Sequence, residues 1–148
     1  MRAIPRPAVW LGLAGLIPFL WGVATVLRPD LADWGTRIFG PQFIGPYVQL
    51  FYGAIILAFM SGVLWGFAAK AETGQAADYA LSVIPALWAF VMTGQGPVTA
   101  GVNLMIGFVA LLALDWHFWR TGLAPVWWMK LRIMLTGIVL ISFIPVII

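Results

Sequence analysis

The sequence contains no cysteine and very few charged residues. Without cysteine among its 148 residues it forms neither a disulfide nor a thiolate metal site. Only 9% of the residues are charged, whereas a soluble globular domain carries about 25%. A chain so poor in charge cannot cover its surface with polar groups, which excludes a soluble enzyme, a nucleic-acid-binding module and a disordered tail.

Long hydrophobic runs take the place of the missing charge, since 63% of the residues are hydrophobic. A membrane core about 30 Å thick requires roughly 20 apolar residues per helix. The runs predict an all-α integral membrane protein, a single transmembrane domain over residues 1–148 with five spans at about 8–27, 46–69, 77–93, 98–119 and 126–147. A tight turn at residues 93–97 leaves open a re-entrant hairpin formed by the third and fourth runs.

The basic residues are distributed unequally between the two membrane faces that five spans create. One face carries Arg28 and Arg37, and the other carries six basic residues. Because cytoplasmic loops are rich in Lys and Arg, the N-terminus is predicted to be cytoplasmic and the C-terminus periplasmic, in a bacterial inner membrane or in the equivalent mitochondrial one. The six basic residues are Arg2, Arg6, Lys70, Arg120, Lys130 and Arg132.

Six tryptophans fall near the same basic face. The half-polar indole ring favours the headgroup level of a membrane, so these residues agree with the predicted topology. They are Trp10, Trp65, Trp116, Trp119, Trp127 and Trp128.

The first loop has the pattern of a short amphipathic helix on the membrane surface. Leu31, Trp34 and Ile38 recur at helical spacing, whereas Asp33 and Arg37 form a polar i, i+4 pair. We expect either a connector that shields the bundle or a docking surface for a partner.

The second span carries a stripe of small residues at Ala58, Gly62 and Gly66. A Gly-x-x-x-Gly motif lets two helix backbones approach closely. The stripe favours packing against another helix of the same chain, and the alternative is docking to a second copy or to another membrane protein.

Ionisable residues lie near the span ends rather than at the midplane. Asp115 lies about one turn inside the fourth span, and Lys130 and Arg132 enter the fifth at a similar depth. An ion pair of Asp115 with either cation would lower the cost of placing these charges in the membrane. With Arg120, these residues form either a structural clamp between helices or a site for a lipid or quinone headgroup.

No pattern for catalysis or cofactor binding is evident. His117 is the only histidine, so bis-histidine haem ligation is excluded, and a zinc site needs three or four ligands. No serine or threonine has a histidine and carboxylate partner at membrane depth. We therefore expect a protein with no cofactor, no metal and no enzymatic activity.

Five segments of the chain form a recognisable set, at residues 4–19, 52–54, 61–66, 82–87 and 131–136. The most specific pieces are the Trp-Gly pair at 65–66 and the Leu-Arg and Leu-Thr pairs at 131–136. On these residues the whole chain, from Pro7 to the end, resembles a small family of polytopic membrane proteins that includes transmembrane protein 69. The resemblance implies a multi-pass helical protein of an energy-transducing membrane, and it implies no activity.

Three functions remain open for such a protein. The leading hypothesis is an accessory, assembly or interaction subunit of a respiratory or photosynthetic complex, with membrane lipids, other integral membrane proteins or a second copy as partners. The second is a small transporter or channel with a path lined by Gln49, Ser61, Asn103 and Thr136. The third is a lipid- or quinone-binding protein that uses the basic cluster and its flanking tryptophans.

Overall fold

The computed structural model describes residues 3–148, so Arg2 of the basic face lies outside the described residues. Those residues form helices and connecting turns, without a β-strand. A 3-10 turn at Pro41–Phe43 precedes the fourth of seven α-helices. The helices are α1 (Arg6–Ala14), α2 (Ile17–Leu27), α3 (Pro29–Phe39), α4 (Tyr47–Lys70), α5 (Ala76–Met92), α6 (Pro97–Arg120) and α7 (Trp128–Ile147).

The helices form the predicted membrane bundle. Four segments are long and apolar enough to cross a membrane: α1 with α2, α4, α6 and α7. The fifth, α5, is also apolar but has only 17 residues, which corresponds to about 26 Å. That length is close to the minimum for a span, and the run at 77–93 is the shortest of the five predicted ones.

Helix α5 packs against α6 along its whole length. Near one end, Asp78 lies 3.5 Å from His117. Near the other end, the Asn103 side chain donates a hydrogen bond to the Met92 carbonyl oxygen (3.1 Å). Between them, Trp88 Nε1 donates to the Asn103 carbonyl oxygen (2.7 Å). The two runs are therefore antiparallel neighbours.

The first span bends where proline interrupts its hydrogen bonds. Pro18 lies in the first turn of α2 and has no N–H to donate to the preceding helix. The Leu16 amide donates instead to the Leu13 carbonyl oxygen three residues back, which tightens the backbone at the junction. The result is two short helices, α1 and α2, in place of one straight span.

A side chain on α4 compensates for the proline inside α5. Pro85 disrupts the regular hydrogen bonding of α5, and the next amide, that of Ala86, donates to the Ser61 hydroxyl oxygen at 2.8 Å. Neighbouring helices commonly satisfy backbone groups freed by proline in a membrane. This bond also fixes the register of α4 against α5.

The surface helix in the first loop forms, but its polar contacts differ from the prediction. Helix α3 ends at Gly40, whose φ of +97° favours glycine. Within residues 3–148, Asp33 and Arg37 form no ion pair, because Arg28 instead holds Asp30 at 2.8 Å.

The apolar side of α3 is largely uncovered. Trp34 is 51% exposed and Ile38 is 59% exposed, whereas Leu31 is partly buried. Trp34 packs edge-on against Trp21 of α2, which ties the surface helix to the bundle. The remaining apolar surface is available to the membrane interface.

Aromatic rings fill the centre of the bundle. Phe19 of α2 makes edge-to-face contacts with Phe108 of α6 and Phe143 of α7, at centroid distances of 6.1 and 5.9 Å. Tyr52 of α4 packs edge-on against the same Phe19 at 5.2 Å. These rings join four helices at mid-depth and close the inner end of the site described next.

Candidate ligand-binding site

The site begins with a buried ion pair between α6 and α7. Arg132 Nε donates to Asp115 Oδ2 at 2.8 Å, and Trp128 Nε1 donates to Asp115 Oδ1 at 2.9 Å. Asp115 is completely buried and Arg132 is 6% exposed. Two good hydrogen bonds and the opposite charge together offset the cost of burying the carboxylate.

The pair involves only two of the four residues in the predicted cluster. Lys130 and Arg120 are exposed, and the Arg120 guanidinium lies over the Trp116 ring at 5.6 Å. Of the two cations considered for Asp115, the structure places Arg132 beside it because residues 128 and 132 share one face of α7. Lys130 lies on a different face of the same helix.

Trp128 belongs to the candidate site, although the sequence predicts it among the tryptophans at the membrane surface. It was predicted to lie at the headgroup level, but it is only 9% exposed and donates to the buried carboxylate. The signal that could have identified it is its spacing, since Trp128, Arg132 and Thr136 follow one another at i, i+4 intervals. One helical stripe therefore carries three polar groups into the bundle.

Two buried polar atoms on this stripe lack a hydrogen-bond partner among residues 3–148. They are Arg132 Nη2 and Thr136 Oγ1. Arginine usually binds a carboxylate with two parallel hydrogen bonds, but Trp128 already occupies Oδ1 of Asp115. The guanidinium therefore uses Nε alone and keeps Nη2 free, at a cost typical of an unsatisfied buried donor.

The same stripe lines a large cavity between α1, α2, α4 and α7. The cavity has a volume of about 710 Å³ and is partly open to the surroundings of the bundle. Along α4 it extends from Tyr52 to Phe67, about 22 Å. Its wall is almost entirely apolar, and the lining side chains that contain polar atoms are those of Tyr52, Trp127, Trp128, Arg132 and Thr136.

The bend in the first span leaves room for this cavity. Gly12 and Gly15 line it from α1, and a Cβ on Gly12 would lie 3.0 Å from Leu135. Glycine thus allows α1 to lie close to α7 at one edge of the opening. The aromatic contacts of Phe19 and Phe108 form its inner end.

A second, smaller cavity continues in the direction of α3. It has a volume of about 410 Å³ and shares Tyr52 and Ile55 of α4 with the first cavity. Gln42 and Phe43 mark its far end, beside the loop that follows α3. Because they share these two residues, the two neighbouring cavities are together called the groove.

The small-residue stripe of α4 lies beside this groove, because Gly62 and Gly66 follow the cavity-lining Ile55 and Phe59 by seven residues each. Ala58, Gly62 and Gly66 are exposed, and a Cβ added to either glycine would meet nothing within 4 Å. The expectation that the stripe packs within the chain is therefore wrong. Helix α5 instead contacts α4 at Ser61 and Trp65, one residue to the side of the glycines.

The polar residues proposed for a transport path do not meet in one passage. Gln49 is fully buried and donates to the Ser142 carbonyl oxygen at 2.7 Å. Ser61 and Asn103 are engaged with α5, and of the four residues only Thr136 lines the groove. The arrangement offers separate structural contacts and one binding cavity.

The only histidine lies at the surface of the bundle. His117 Nε2 is 3.5 Å from Asp78 Oδ1, and the two side chains connect α5 with the end of α6. Within the described part of the chain, no three histidine or acidic side chains are grouped in a way that could hold a metal ion.

The family model described as "Protein of unknown function (DUF3429)" matches residues 4–148, which include every residue of the groove. The chain belongs to this DUF3429 family. The match confirms the resemblance found in the sequence, because two relatives carry the name "Transmembrane protein 69". One, from Xenopus tropicalis, is 33% identical over 97% of this chain, and one from Mus musculus is 34% identical over 95%.

This DUF3429 chain spans about half the length of the curated relatives it matches, 54% of the frog protein and 55% of the mouse protein. No solved structure matches it. The comparisons establish a multi-pass membrane protein of this family.

Proposed function

We propose that this membrane protein binds a lipid-like molecule in the groove between α1, α2, α4 and α7, without catalysing a reaction. The observation that carries the proposal is the pair of buried polar atoms, on Arg132 and Thr136, in the wall of an otherwise apolar cavity. Buried polar groups in proteins are normally hydrogen-bonded. A bound molecule with a polar head would supply the missing partner.

The size and lining of the cavity support this function. Ligand sites are concave, mostly apolar, about 300–1,000 Å³ in volume, and contain a few polar groups that orient the ligand. The cavity of about 710 Å³ falls in this range. Because it opens at the side of the bundle, a ligand dissolved in the membrane could enter without crossing water.

Analysis of co-purified lipid tests the proposal. Val63 lines the cavity from α4, and Val63→Trp would fill it, whereas Val109→Trp places the same ring at an exposed position on α6. We expect wild type and Val109→Trp to retain one lipophilic molecule per chain after mild-detergent purification, and Val63→Trp to lose it. Equal retention by Val63→Trp and wild type would contradict the proposal.

A second candidate function, that of an accessory or assembly subunit, is supported by the open small-residue stripe of α4. Ala58, Gly62 and Gly66 form a face on which another helix could lie closely. A respiratory or photosynthetic complex of an inner membrane is the proposed partner, and a second copy is the alternative.

Purification from native membranes tests the subunit function. Stoichiometric recovery with an oxidase, a bc-type complex or a photosynthetic complex is the expected result, and Gly62→Leu should abolish it. Gly137→Leu is the matched control on α7, since a Cβ there also meets nothing within 4 Å. Recovery of the protein alone as a homo-oligomer would contradict the assignment.

The grouping of charges supports the proposed orientation. Lys70, Arg120 and Lys130 lie at the ends of α4, α6 and α7 that meet at the Asp78–His117 contact, whereas Arg28 and Arg37 lie at the other end of the bundle. By the positive-inside rule, the first end faces the cytoplasm, or the matrix in a mitochondrion. Labelling of single cysteines introduced at Thr73 and Gln95, exposed loop positions at opposite ends of α5, would test this, because the natural chain has no cysteine. Thr73 should be labelled from the cytoplasmic or matrix side and Gln95 from the other, and the reverse pattern would contradict the orientation.

A further inference from the structure

The polar end of the groove already has balanced charge. Asp115 and Arg132 carry one negative and one positive charge, and their contact is 2.8 Å. The nearby cations Lys130 and Arg120 are exposed and do not join the pair. Near the pair, the unpartnered groups that could bind a ligand are a donor, Arg132 Nη2, and the hydroxyl of Thr136, within an electrically neutral site, and the Tyr52 hydroxyl lies further along the cavity wall.

This balance determines which head group can occupy the site. An anionic head would accept a hydrogen bond from Arg132 but would add a second negative charge that has no counterion in the apolar wall. The cost of burying such a charge is large. A neutral carbonyl oxygen accepts hydrogen bonds from both N–H and O–H donors without changing the net charge.

From this balance, and resting on the proposed function, we propose that the groove selects a neutral lipophile with a carbonyl head. Its carbonyl oxygen accepts hydrogen bonds from Arg132 Nη2 and the Thr136 hydroxyl. Two kinds of membrane molecule offer this chemistry, namely the ring of a quinone and the ester group of an acyl lipid. Trp128 contributes indirectly, because its hydrogen bond to Asp115 Oδ1 leaves Nη2 available.

The shape of the groove assigns a direction to the tail. Arg132 and Thr136 lie one and two turns inside the start of α7, about 6 and 12 Å from Trp128. From there the wall is apolar through Tyr52 and Ile55 into the second cavity near Phe43. The tail therefore extends away from the basic end of the bundle, towards the side of α3.

Four probes of stated chemistry test this inference on the delipidated full chain in detergent, with binding followed by native mass spectrometry. Methyl palmitate has a neutral ester head, and palmitate has the same tail with an anionic head. Hexadecane has no head, and a benzoquinone with a decyl tail supplies the ring carbonyl. We expect methyl palmitate, the quinone, or both to bind about ten-fold more tightly than palmitate and hexadecane.

Thr136→Val tests the contact itself. It removes the hydroxyl and keeps the side-chain shape, so affinity for the neutral-headed probe should fall about five-fold, the value of one neutral hydrogen bond. Affinity for hexadecane should not change. Thr99→Val, at an exposed position on α6 outside the groove, is the matched control and should leave all affinities unchanged.

The outcomes separate the inference from the function on which it rests. Tightest binding of palmitate, or equal binding of hexadecane and the headed probes, would overturn the neutral-carbonyl assignment. If this binding remained sensitive to Val63→Trp, the proposed function would stand. If Val63→Trp changed the binding of no probe, both would fail. A preference for the quinone or for the ester identifies which of the two molecules supplies the carbonyl.

Discussion

Arg132 and Asp115, 17 residues apart in the sequence, meet inside the bundle through a single hydrogen bond of 2.8 Å from Nε to Oδ2. The second carboxylate oxygen is occupied by Trp128, so the guanidinium does not form the usual fork. This arrangement connects α6 with α7 and leaves Arg132 Nη2 without a hydrogen-bond partner among the described residues. The contact thus serves the packing of the helices and, in the proposed function, the binding of the ligand.

Removal of the carboxylate should strongly destabilise the protein. Asp115→Ala leaves the Arg132 charge buried without a counterion, which typically costs about 3–5 kcal/mol. The thermal unfolding temperature in detergent should therefore fall well below that of wild type. Asp33→Ala is the control, since that carboxylate is exposed and forms no ion pair within residues 3–148. An unchanged unfolding temperature for Asp115→Ala would show that the pair does not clamp the helices.

Two threonines should respond oppositely to the same substitution. The Thr25 hydroxyl accepts a hydrogen bond from the Gly45 amide at 2.7 Å, so Thr25→Val should cost about 1–3 kcal/mol. The Thr136 hydroxyl has no partner among the described residues, so Thr136→Val should leave the ligand-free protein equally stable or more so. Unfolding measured on delipidated samples checks both. A similar loss in the two variants would contradict the assignment of Thr136 as unsatisfied.

The Ser61 hydroxyl should be needed only because α5 contains a proline. Ser61→Ala leaves the Ala86 amide without its acceptor, at a cost of about 1–3 kcal/mol. In a Pro85→Ala background, the helix can restore its own bond and the cost should fall. A double-mutant cycle on unfolding free energy measures this coupling. Additive effects of the two substitutions would mean that serine and proline are not linked.

The acidic group at the start of α3 should titrate abnormally. The hydrogen bond from Arg28 lowers the pKa of Asp30 below its usual range, and the charge of Arg28 adds to this effect. The pair therefore stabilises the fold above the ordinary carboxyl pKa and is lost as pH falls through the lowered value. Carboxyl NMR should show the Asp30 pKa returning towards normal in Arg28→Gln. A pKa that does not move would exclude the contact in solution.

The spans were predictable because each depends only on the length of an apolar run. The shortest of the five predicted runs became α5, and Pro85 within it required a hydroxyl from Ser61 that no local pattern reveals. The bend at Pro18 follows from the missing N–H of proline, although its extent depends on how α1 and α2 pack. Local composition thus predicts the elements and leaves their mutual placement undetermined.

The candidate site was predictable only in part for the same reason. The positions of Asp115, Lys130 and Arg132 along their spans predicted that the three residues lie at a similar depth. Which cation contacts Asp115 depends on the face of α7 that each occupies, and Arg132 is the one that does. The open face at Gly62 shows that a small-residue motif does not specify which helix covers it. The groove has no sequence signal, because it is the space left between bent and straight helices.

Photolabelling measures most directly whether the groove is a binding site. A methyl palmitate analogue with a photoreactive diazirine near the ester would be bound to the wild-type protein and activated, and the modified residues identified by peptide mass spectrometry. The account predicts label on cavity residues of α7, at Leu131, Leu135 and Thr136, and little on the exposed Ile133 of the same helix. Equal labelling of Ile133 and Leu135 would contradict it, because a lipid that only surrounds the bundle would reach both.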